Sequence, residues 1–558
     1  MTKKKTTKIE KTEQENIQIK KKNKVEKIII VVLFLLLFFA GLITEKNVGF
    51  YNDELFEQNI LRGNVLEYVE VLGDWNDLTA YYHEQQILAI SQSVEKDHGV
   101  APYLPIVPFL AIGRVSQELL SLIWHTYTYM LFFMGVVMVY LIIHHLFQNR
   151  KVALVSSLIY MSSPRIFAEG LYNNKDIVLM SLVLATIYFG MLFLEKKTFR
   201  SAIIFGIVGA FTFNVKIIGG FMFGVIGIYY LVEYLINSYK KDKYLTKELA
   251  VGLTAIAVMF ILFIIITPAI WGSGFDLFGY FHWCLTESTK FSRWLGTVLF
   301  EGQRISYAAG QELPLYYLPK MILITTPIYL LILFFIGVFF VFWNAIKKKE
   351  KELNKNFILI LILMLVPFLV AMITHARLYN GWRHFYFIYG PMVLLAIYGI
   401  YNLNKFLPKK KVFYTVIGCC VIFYLVACLH NGVNNTAYYN ILVNHKDLTD
   451  EYEIDYYGTS TKQVMNEAEA KRKQNIIYIY GQGYGYNLLE NNFYVMNRAR
   501  RNHLRLTHDP DEYQKLKEEG KEVYIFYNNV YNTKDLIEGH KKIYSTSSWG
   551  NDMAALYQ

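Results

Sequence analysis

Charged residues and cysteines are scarce in this chain of 558 residues. Only 18% of the residues are charged and four are cysteines, whereas 54% are hydrophobic and 16% aromatic. Cys419, Cys420 and Cys428 share one apolar run and leave Cys284 alone, which argues against a disulfide framework. The low charge excludes an ordinary soluble enzyme and favours a membrane protein that also carries soluble parts.

The chain opens with a basic segment that is followed by a long apolar run. Ten of the first 27 residues are lysine, and the run from Ile28 to Ile43 carries no charge. No small-residue cleavage site follows the run, so we expect an uncleaved membrane anchor. Because basic flanks stay cytoplasmic, residues 1–27 are predicted to form a cytoplasmic tail, and Asp53 and Glu54 to lie just beyond the outer face.

Further apolar runs predict a mainly α, polytopic transmembrane helical bundle with about eleven spans. The runs lie at 28–43, 124–147, 151–168, 176–194, 200–217, 218–237, 249–270, 318–344, 357–374, 385–403 and 412–429. When these spans alternate in direction, basic loops such as Lys347–Lys349 and Lys409–Lys411 all fall on the inner side. The sequence therefore predicts a multi-pass protein of the cell membrane with a cytoplasmic N-terminus and an extracytoplasmic C-terminus.

Composition also divides the chain into domains. A transmembrane domain is predicted over residues 28–430, with a first outer loop at 45–123 and a long outer loop at 271–317. From residue 431 to 558 charges become frequent, and strand-like runs alternate with helix-like ones. The strand-like runs are Ile476–Tyr480, Val523–Tyr527 and Lys542–Thr546, and the helix-like runs are Thr461–Lys473 and Asp511–Glu519. We expect a small extracytoplasmic α/β domain there.

The net charge of +11 is spread between the apolar segments rather than gathered on one soluble domain. This distribution indicates a lipid bilayer rather than nucleic acid as the partner.

Polar residues are dense in the loops that are predicted to lie outside. Ionisable groups at membrane depth cost several kcal/mol unless they face a cavity or one another, so these loops predict a shared polar cavity. Such a set suits transfer of a sugar from a lipid-linked phosphate, which needs a base for the acceptor hydroxyl and cations for the departing phosphate.

Five spaced motifs carry a family resemblance. They are Asp97-His98-Gly99, Ser163-Pro164-Arg165-Ile166-Phe167-Ala168 with Tyr172-Asn173-Asn174-Lys175-Asp176-Ile177, Leu313-Pro314-Leu315-Tyr316-Tyr317-Leu318-Pro319, Gly381-Trp382-Arg383-His384-Phe385 and Asp455-Tyr456-Tyr457-Gly458-Thr459-Ser460. In their order along the chain and in the side of the membrane on which they are expected, they resemble motifs of bacterial glycosyltransferases related to the protein O-mannosyltransferases. The likeness runs from about Asp53 to Ser460.

The resemblance implies the type-C glycosyltransferase architecture, an active site on the extracytoplasmic face and a polyprenyl-phosphate-linked sugar as donor. It implies a catalytic acidic pair, with Asp53 as general base and Glu54 beside it. The residues that it implies for the donor phosphate and substrate are Lys175, Asp176, Asn173, Arg165, Arg383, His384 and His98.

Simpler interpretations of these residues stay open. Asp53-Glu54 could be a solvated turn, and Asn173 to Asp176 a helix cap with a snorkelling lysine. Lys216 at the end of a span could reach a phosphate, although snorkelling is the default interpretation. Gly481-Gln482-Gly483-Tyr484-Gly485 after a strand is interpreted as a turn, because it lacks the glycine spacing of a dinucleotide site.

Alternatives at the level of function stay open as well. A transporter or flippase for lipid-linked saccharides is the chief rival, although it would place charges at mid-depth and show internal repeats. A surface receptor would not need so many spans. No cofactor or metal is expected, while a divalent metal on Asp53 or Glu54 stays open. Neither the sugar nor the acceptor, a protein or a cell-envelope glycan, can be read from the residues.

Overall fold

The computed structural model describes residues 24–73, 76–111, 115–241, 246–290, 294–446 and 448–558. The predicted tail at 1–27 therefore lies almost entirely outside the described residues.

Most of the described chain is helical. The helices are α1 (Lys24–Asn47, ending in a 3-10 turn at Thr44–Asn47), α2 (Glu54–Leu72), α3 (Asn76–Glu84), α4 (Val107–Ala111), α5 (Gln117–Phe147), α6 (Arg150–Met161), α7 (Pro164–Glu169), α8 (Asp176–Lys196), α9 (Phe199–Val215), α10 (Ile218–Lys240), α11 (Thr246–Ile265), α12 (Ala269–Gly272), α13 (Leu277–Lys290), α14 (Tyr317–Thr325), α15 (Ile328–Ile346), α16 (Lys351–Thr374), α17 (Tyr389–Leu403), α18 (Lys410–Asn431), α19 (Leu448–Glu451), α20 (Thr461–Ala470), α21 (Tyr484–Tyr494), α22 (Arg498–Arg501) and α23 (Pro510–Glu518). Short 3-10 helices lie at Ile90–Gln92, Ala101–Ile106, Arg383–Ile388, Gly432–Ala437 and Lys534–Ile537.

Within the described residues, nine helices are long and apolar enough to cross a membrane. They confirm the predicted polytopic helical class. Two of the predicted spans are shorter than expected. The run 151–168 is divided between α6 and α7, since Pro164 starts a new helix where it has no N–H to lose. The run 200–217 is α9, with 17 residues.

The run 318–344 also differs from the expected continuous span. It breaks between α14 and α15 at Pro327, which precedes the first residue of α15. A proline inside a helix would remove a backbone hydrogen bond and clash with the preceding turn, so the chain ends one helix and begins another.

Two spans form the centre of the bundle. In α8, 72% of the residues of the apolar window are buried, and in the span Arg383–Leu403 the share is 83%. Close contacts between helices use glycine, as where a Cβ on Gly337 of α15 would lie 1.9 Å from the Leu395 carbonyl oxygen of α17. The most enclosed helices therefore begin at Asp176 and Arg383.

The C-terminal region contains a five-stranded sheet, which confirms the predicted small α/β fold. Its strands are β3 (Ile477–Tyr480), β4 (Leu504–Thr507), β5 (Glu522–Asn528), β6 (Lys542–Ser548) and β7 (Asn551–Tyr557). The order is β4-β3-β5-β7-β6, with β3 parallel to β4 and β5, and β7 antiparallel to β5 and β6. Strands β4 and β7 and helix α21 were not predicted.

A two-stranded hairpin lies in the long loop between α13 and α14. Strand β1 (Thr297–Phe300) pairs antiparallel with β2 (Gln303–Ser306). Arg304 of this hairpin donates to the backbone carbonyl oxygens of Asn529, Val530 and Asn532, at 2.8 to 3.1 Å. The hairpin thereby fastens the loop after β5 to the transmembrane region.

Candidate active site

The backbone before α2 is fixed by the segment that leads into the C-terminal sheet. The Gly49 amide donates to the Thr459 carbonyl oxygen at 2.9 Å, and the Asn52 amide donates to the Tyr457 carbonyl oxygen at 3.0 Å. Asp53 follows immediately and occupies the N-cap position of α2 without a capping hydrogen bond from its side chain. Its carboxylate is thus available for contacts outside its own helix.

The start of α8 is organised by Asn173. The Asn173 Oδ1 accepts from the backbone amides of Lys175 and Asp176, at 3.3 and 3.0 Å. Its Nδ2 donates to Glu169 at 2.8 Å and to Asp176 at 3.2 Å. Asn173 therefore fixes the backbone turn that leads into α8 and orients Asp176, since Asn side chains bond to the backbone two residues on.

Arg383 lies between the segment before α2 and the start of α8. Its Nη1 lies 3.9 Å from a carboxylate oxygen of Asp53 and 3.9 Å from one of Asp176, and it also contacts the Tyr457 hydroxyl. The residue is 8% exposed, and its Nε has no hydrogen-bond partner among the described residues. A buried guanidinium with an unused donor is suited to an anionic ligand.

Two lysines complete the cluster. Lys216 forms an ion pair with Asp176, and Lys175 forms one with Glu57. The Lys175 ammonium also lies 3.0 Å from the His98 Nδ1. We call the group Asp53, Glu57, Lys175, Asp176, Lys216 and Arg383 the polar recess.

The recess shifts the proton affinities of Asp53 and Lys175, which lie outside the spans. Burial raises the pKa of Asp53; the Arg383 charge opposes this rise and the Glu57 charge adds to it. The side chain of Asp53 is nevertheless 39% exposed within the recess. For Lys175, burial would lower the pKa, but Glu57, Glu95 and Asp53 together raise it. Lys175 therefore keeps its positive charge, and the Asp53 carboxylate binds a proton more readily than an ordinary Asp does.

A mostly apolar cavity of about 250 Å³ adjoins the recess. Its polar end is lined by Asp97, His98, Lys216 and His384. The rest is lined by apolar residues such as Phe221 of α10 and Val366 and Val370 of α16. A lysine at the polar end and a hydrocarbon-like wall along the rest match the two parts of a lipid phosphate.

Residues 115–271 match the family model described as dolichyl-phosphate-mannose-protein mannosyltransferase. The protein is a membrane glycosyltransferase. The match confirms the predicted relation to the protein O-mannosyltransferases. It covers Arg165, Lys175, Asp176 and Lys216, and it does not reach Asp53 or Arg383.

Solved structures similar to this glycosyltransferase include the following two. ArnT from Cupriavidus metallidurans bound to undecaprenyl phosphate is 11% identical, with a TM-score of 0.43 over 95% of this chain and 97% of that one. The oligosaccharyltransferase AglB from Archaeoglobus fulgidus, in complex with an inhibitory peptide and a dolichol-phosphate, is 10% identical, with a TM-score of 0.40 over 89% and 69%. None of the curated proteins compared with the chain matches it.

The glycosyltransferase does not bring every predicted site residue into the recess. Glu54 is fully buried, and its Oε2 lies 2.8 Å from the His125 Nε2. Successive residues at a helix start point about 100° apart, so Asp53 and Glu54 face different surroundings. Arg165 is 1% exposed, donates to the Tyr438 carbonyl oxygen at 3.4 Å and stacks on Tyr439.

Three members of the site were not selected from the sequence. Glu57 lies four residues after Asp53, on the same face of α2, and this spacing was a usable signal. Lys216 had been interpreted as snorkelling, although it pairs with Asp176. Tyr457 belongs to a recognised motif, but only the fold brings its hydroxyl to Arg383.

One group of described residues has the composition of a metal site. Ligand atoms of Glu95, Asp97 and His98 lie within 4.8 Å of one another. The His98 Nδ1 is already placed between the Glu95 carboxylate, at 2.5 Å, and the Lys175 ammonium, at 3.0 Å. The adjacent ammonium repels a cation, so these side chains fit a hydrogen-bonded ion-pair cluster better than a metal.

Proposed function

We propose that this membrane glycosyltransferase moves a sugar from a polyprenyl-phosphate-linked donor to an acceptor hydroxyl at the extracytoplasmic face. The observation that carries the proposal is the polar recess, where the Asp53 carboxylate lies beside Arg383 and where Lys216 also lines the apolar cavity. The matched family, whose description names a dolichyl-phosphate-linked sugar, supports the class of donor.

In the proposed reaction Asp53 is the general base. The acceptor oxygen attacks the anomeric carbon of the donor sugar and forms the new C–O bond, while the bond from that carbon to the phosphate oxygen breaks. The electron pair of the broken bond stays with the phosphate, and the acceptor proton passes to the Asp53 carboxylate. The products are a glycoside and the polyprenyl phosphate.

The cations of the recess would stabilise the departing phosphate. Its negative charge grows as the bond breaks, and donors that are already positioned favour this change without reorganising. Arg383 offers its buried Nε, and Lys216 and His384 face the cavity in which the lipid chain would lie. Lys175 and His98 would complete the binding of the phosphate, with Asp176 and Asn173 positioning Lys216 and Arg383.

The proposed orientation places the recess outside and the N-terminus in the cytoplasm. Asp53 follows the C-terminal end of α1, whereas the other end of α1 carries Glu26, which pairs with Arg150 at 3.0 Å. Lys196 and Lys197 lie at the end of α8, and Lys405 lies just after α17. Both of these span ends are opposite the recess, which lies where the two spans begin. The usual bias of basic residues to the cytoplasm supports this orientation and an extracytoplasmic domain at 431–558.

The transporter alternative receives no support from the placement of charge. The recess lies at the ends of α8 and of the span Arg383–Leu403, whereas a transport site is expected near mid-depth.

A transfer assay with membranes tests the proposal. A panel of radiolabelled polyprenyl-phosphate sugars would be offered to the wild type, to Asp53→Asn and to Asp77→Asn, a matched change at an exposed carboxylate of the same loop. We expect transfer from one donor, a loss of about 100-fold or more in Asp53→Asn with donor binding retained, and full activity in Asp77→Asn. Undiminished transfer by Asp53→Asn would remove it as the base, and absence of transfer from every donor would contradict the proposed function.

A further inference from the structure

The glycine-rich segment after β3 presents a tyrosine beside the recess. Tyr484 is the first residue of α21 and is 46% exposed. Gly483 before it has φ +53° and ψ −130°, a conformation that favours glycine. A Cβ on Gly485 would lie 3.0 Å from the Asn532 side chain, so glycine there permits close packing. The motif is therefore more than a turn, because it positions one aromatic ring.

A second tyrosine fixes the first. The rings of Tyr484 and Tyr531 stack with centroids 4.8 Å apart and an interplanar angle of 29°. The Tyr531 hydroxyl donates to the Tyr456 carbonyl oxygen at 2.6 Å, within the segment that carries Tyr457 of the site. We call Tyr484 and Tyr531 the tyrosine platform.

The platform adjoins the proposed base. Asn52, the neighbour of Asp53 in the chain, donates from Nδ2 to the Tyr531 hydroxyl at 3.4 Å, and the Tyr531 ring stacks on Tyr484. Asp53 thus has the Arg383 Nη1 at 3.9 Å and, through its chain neighbour Asn52, a connection to the platform. If the phosphate of the donor lies at the cations, the platform is on the side from which the acceptor approaches.

The chemistry of the platform indicates the class of acceptor. One face of a sugar ring is apolar and packs on an aromatic ring, while its hydroxyl groups need hydrogen-bonding partners. The platform supplies an exposed ring flanked by the Asn52 amide and by the exposed Gln482. Strand β3, which leads into this segment, pairs on both sides with β4 and β5, so it offers no edge to an extended peptide.

We infer that the tyrosine platform binds a saccharide ring of the acceptor, so that the acceptor hydroxyl belongs to a glycan. This inference rests on the proposed function for the position of the acceptor, but the binding itself does not require transfer. Tyr484 is a specificity residue. Its ring holds a sugar ring of the acceptor while a hydroxyl group of the same acceptor faces Asp53.

Binding without a donor tests the inference separately from the reaction. Saturation-transfer NMR on the full chain in lipid nanodiscs would use cellobiose, N,N′-diacetylchitobiose and a serine- and threonine-containing peptide as probes. The variants are Tyr484→Ala, Tyr484→Phe, which keeps the ring, and the control Tyr494→Ala, an exposed tyrosine at the other end of α21.

We expect at least one disaccharide to bind through the protons of its apolar face. Its affinity should fall about tenfold in Tyr484→Ala and should be retained in Tyr484→Phe and Tyr494→Ala. Binding of the peptide alone, binding of neither disaccharide, or unchanged binding in Tyr484→Ala would overturn the inference.

Kinetics separate this inference from the proposed function. In the transfer assay, Tyr484→Ala should raise the KM for a glycan acceptor about tenfold and leave the KM for the donor unchanged. If Asp53→Asn abolishes transfer but Tyr484→Ala leaves the acceptor KM unchanged, only the platform is refuted. If disaccharides bind through Tyr484 but no donor supports transfer, only the proposed function is refuted.

Discussion

At the scale of single residues, the proton affinity of Asp53 sets the pH range of the proposed reaction. Burial holds its pKa above the usual range of an Asp, against the charge of Arg383. A base must be deprotonated, so kcat/KM should fall as the pH decreases through this raised pKa. The pH profile of transfer measures it, with Asp77→Asn as the unchanged control. A profile that is flat on the acid side would contradict Asp53 as the base.

A second prediction concerns Glu453 and the dependence of stability on pH. Burial raises its pKa to about 7, despite the Leu299 amide and the charge of Arg383, which lower it. An unfolded Glu titrates near about 4.3, so between these values the folded state binds the extra proton and stability falls as the pH rises. Glu453→Gln should therefore be more stable than the wild type above about pH 7, by about 3–4 kcal/mol at most, and similar near about pH 4.

Thermal unfolding in detergent across this pH range measures the effect of Glu453→Gln. Equal Tm values for the wild type and the variant at every pH would show that Glu453 does not hold a proton in the folded state.

The residues of the site differ in how well they could be predicted from the sequence. Asp53, Lys175 and Arg383 were found through spaced motifs that resemble a known family. Their meeting could not be derived from periodicity, because Arg383 lies 3.9 Å from Asp53 although hundreds of residues separate them in the chain. Lys216 shows the limit most clearly, since a lysine at a span end has the same local pattern whether it snorkels or pairs with a buried carboxylate.

At the scale of elements, the contact between α15 and α17 depends on glycine. A Cβ on Gly337 would lie 1.9 Å from the Leu395 carbonyl oxygen, and backbone cannot move aside easily. Gly337→Ala should therefore lower stability by about 1–3 kcal/mol. The matched control is Gly418→Ala in α18, where no atom of another described element lies within 4 Å of the added Cβ.

Thermal unfolding of the two variants in the same detergent tests this contact. A Tm for Gly337→Ala equal to those of the wild type and Gly418→Ala would show that the helices do not approach as closely as the structure indicates.

The positions of the spans were predictable because apolar runs are long and distinct. The breaks within them were harder to predict. Hydropathy stays high on both sides of Pro327, and Pro164 stands near the end of an apolar run. Both prolines were visible, but a proline can kink a membrane helix as well as end it, and only the neighbouring helices decide between these outcomes. Short strands such as β4 carry too few residues for a clear alternation.

At the scale of the whole molecule, the account predicts the side of the membrane on which each part lies. The recess and the C-terminal domain should be extracytoplasmic, because the basic ends of the spans lie on the side of the bundle opposite the recess. Alkaline phosphatase fused after Gln558 should be active in cells, and a fluorescent protein that folds only in the cytoplasm should be dark there. The reverse pattern would place the recess on the cytoplasmic side and contradict the proposed orientation.

The most direct test of the central claim is a cryo-electron microscopy structure of the protein in nanodiscs with undecaprenyl phosphate. The account predicts the phosphate within hydrogen-bond distance of at least two of Lys175, Lys216 and Arg383, with the lipid chain along the apolar cavity and Asp53 facing the phosphate. A lipid phosphate bound elsewhere, with the recess closed by its own ion pairs, would contradict the claim that this recess holds the donor.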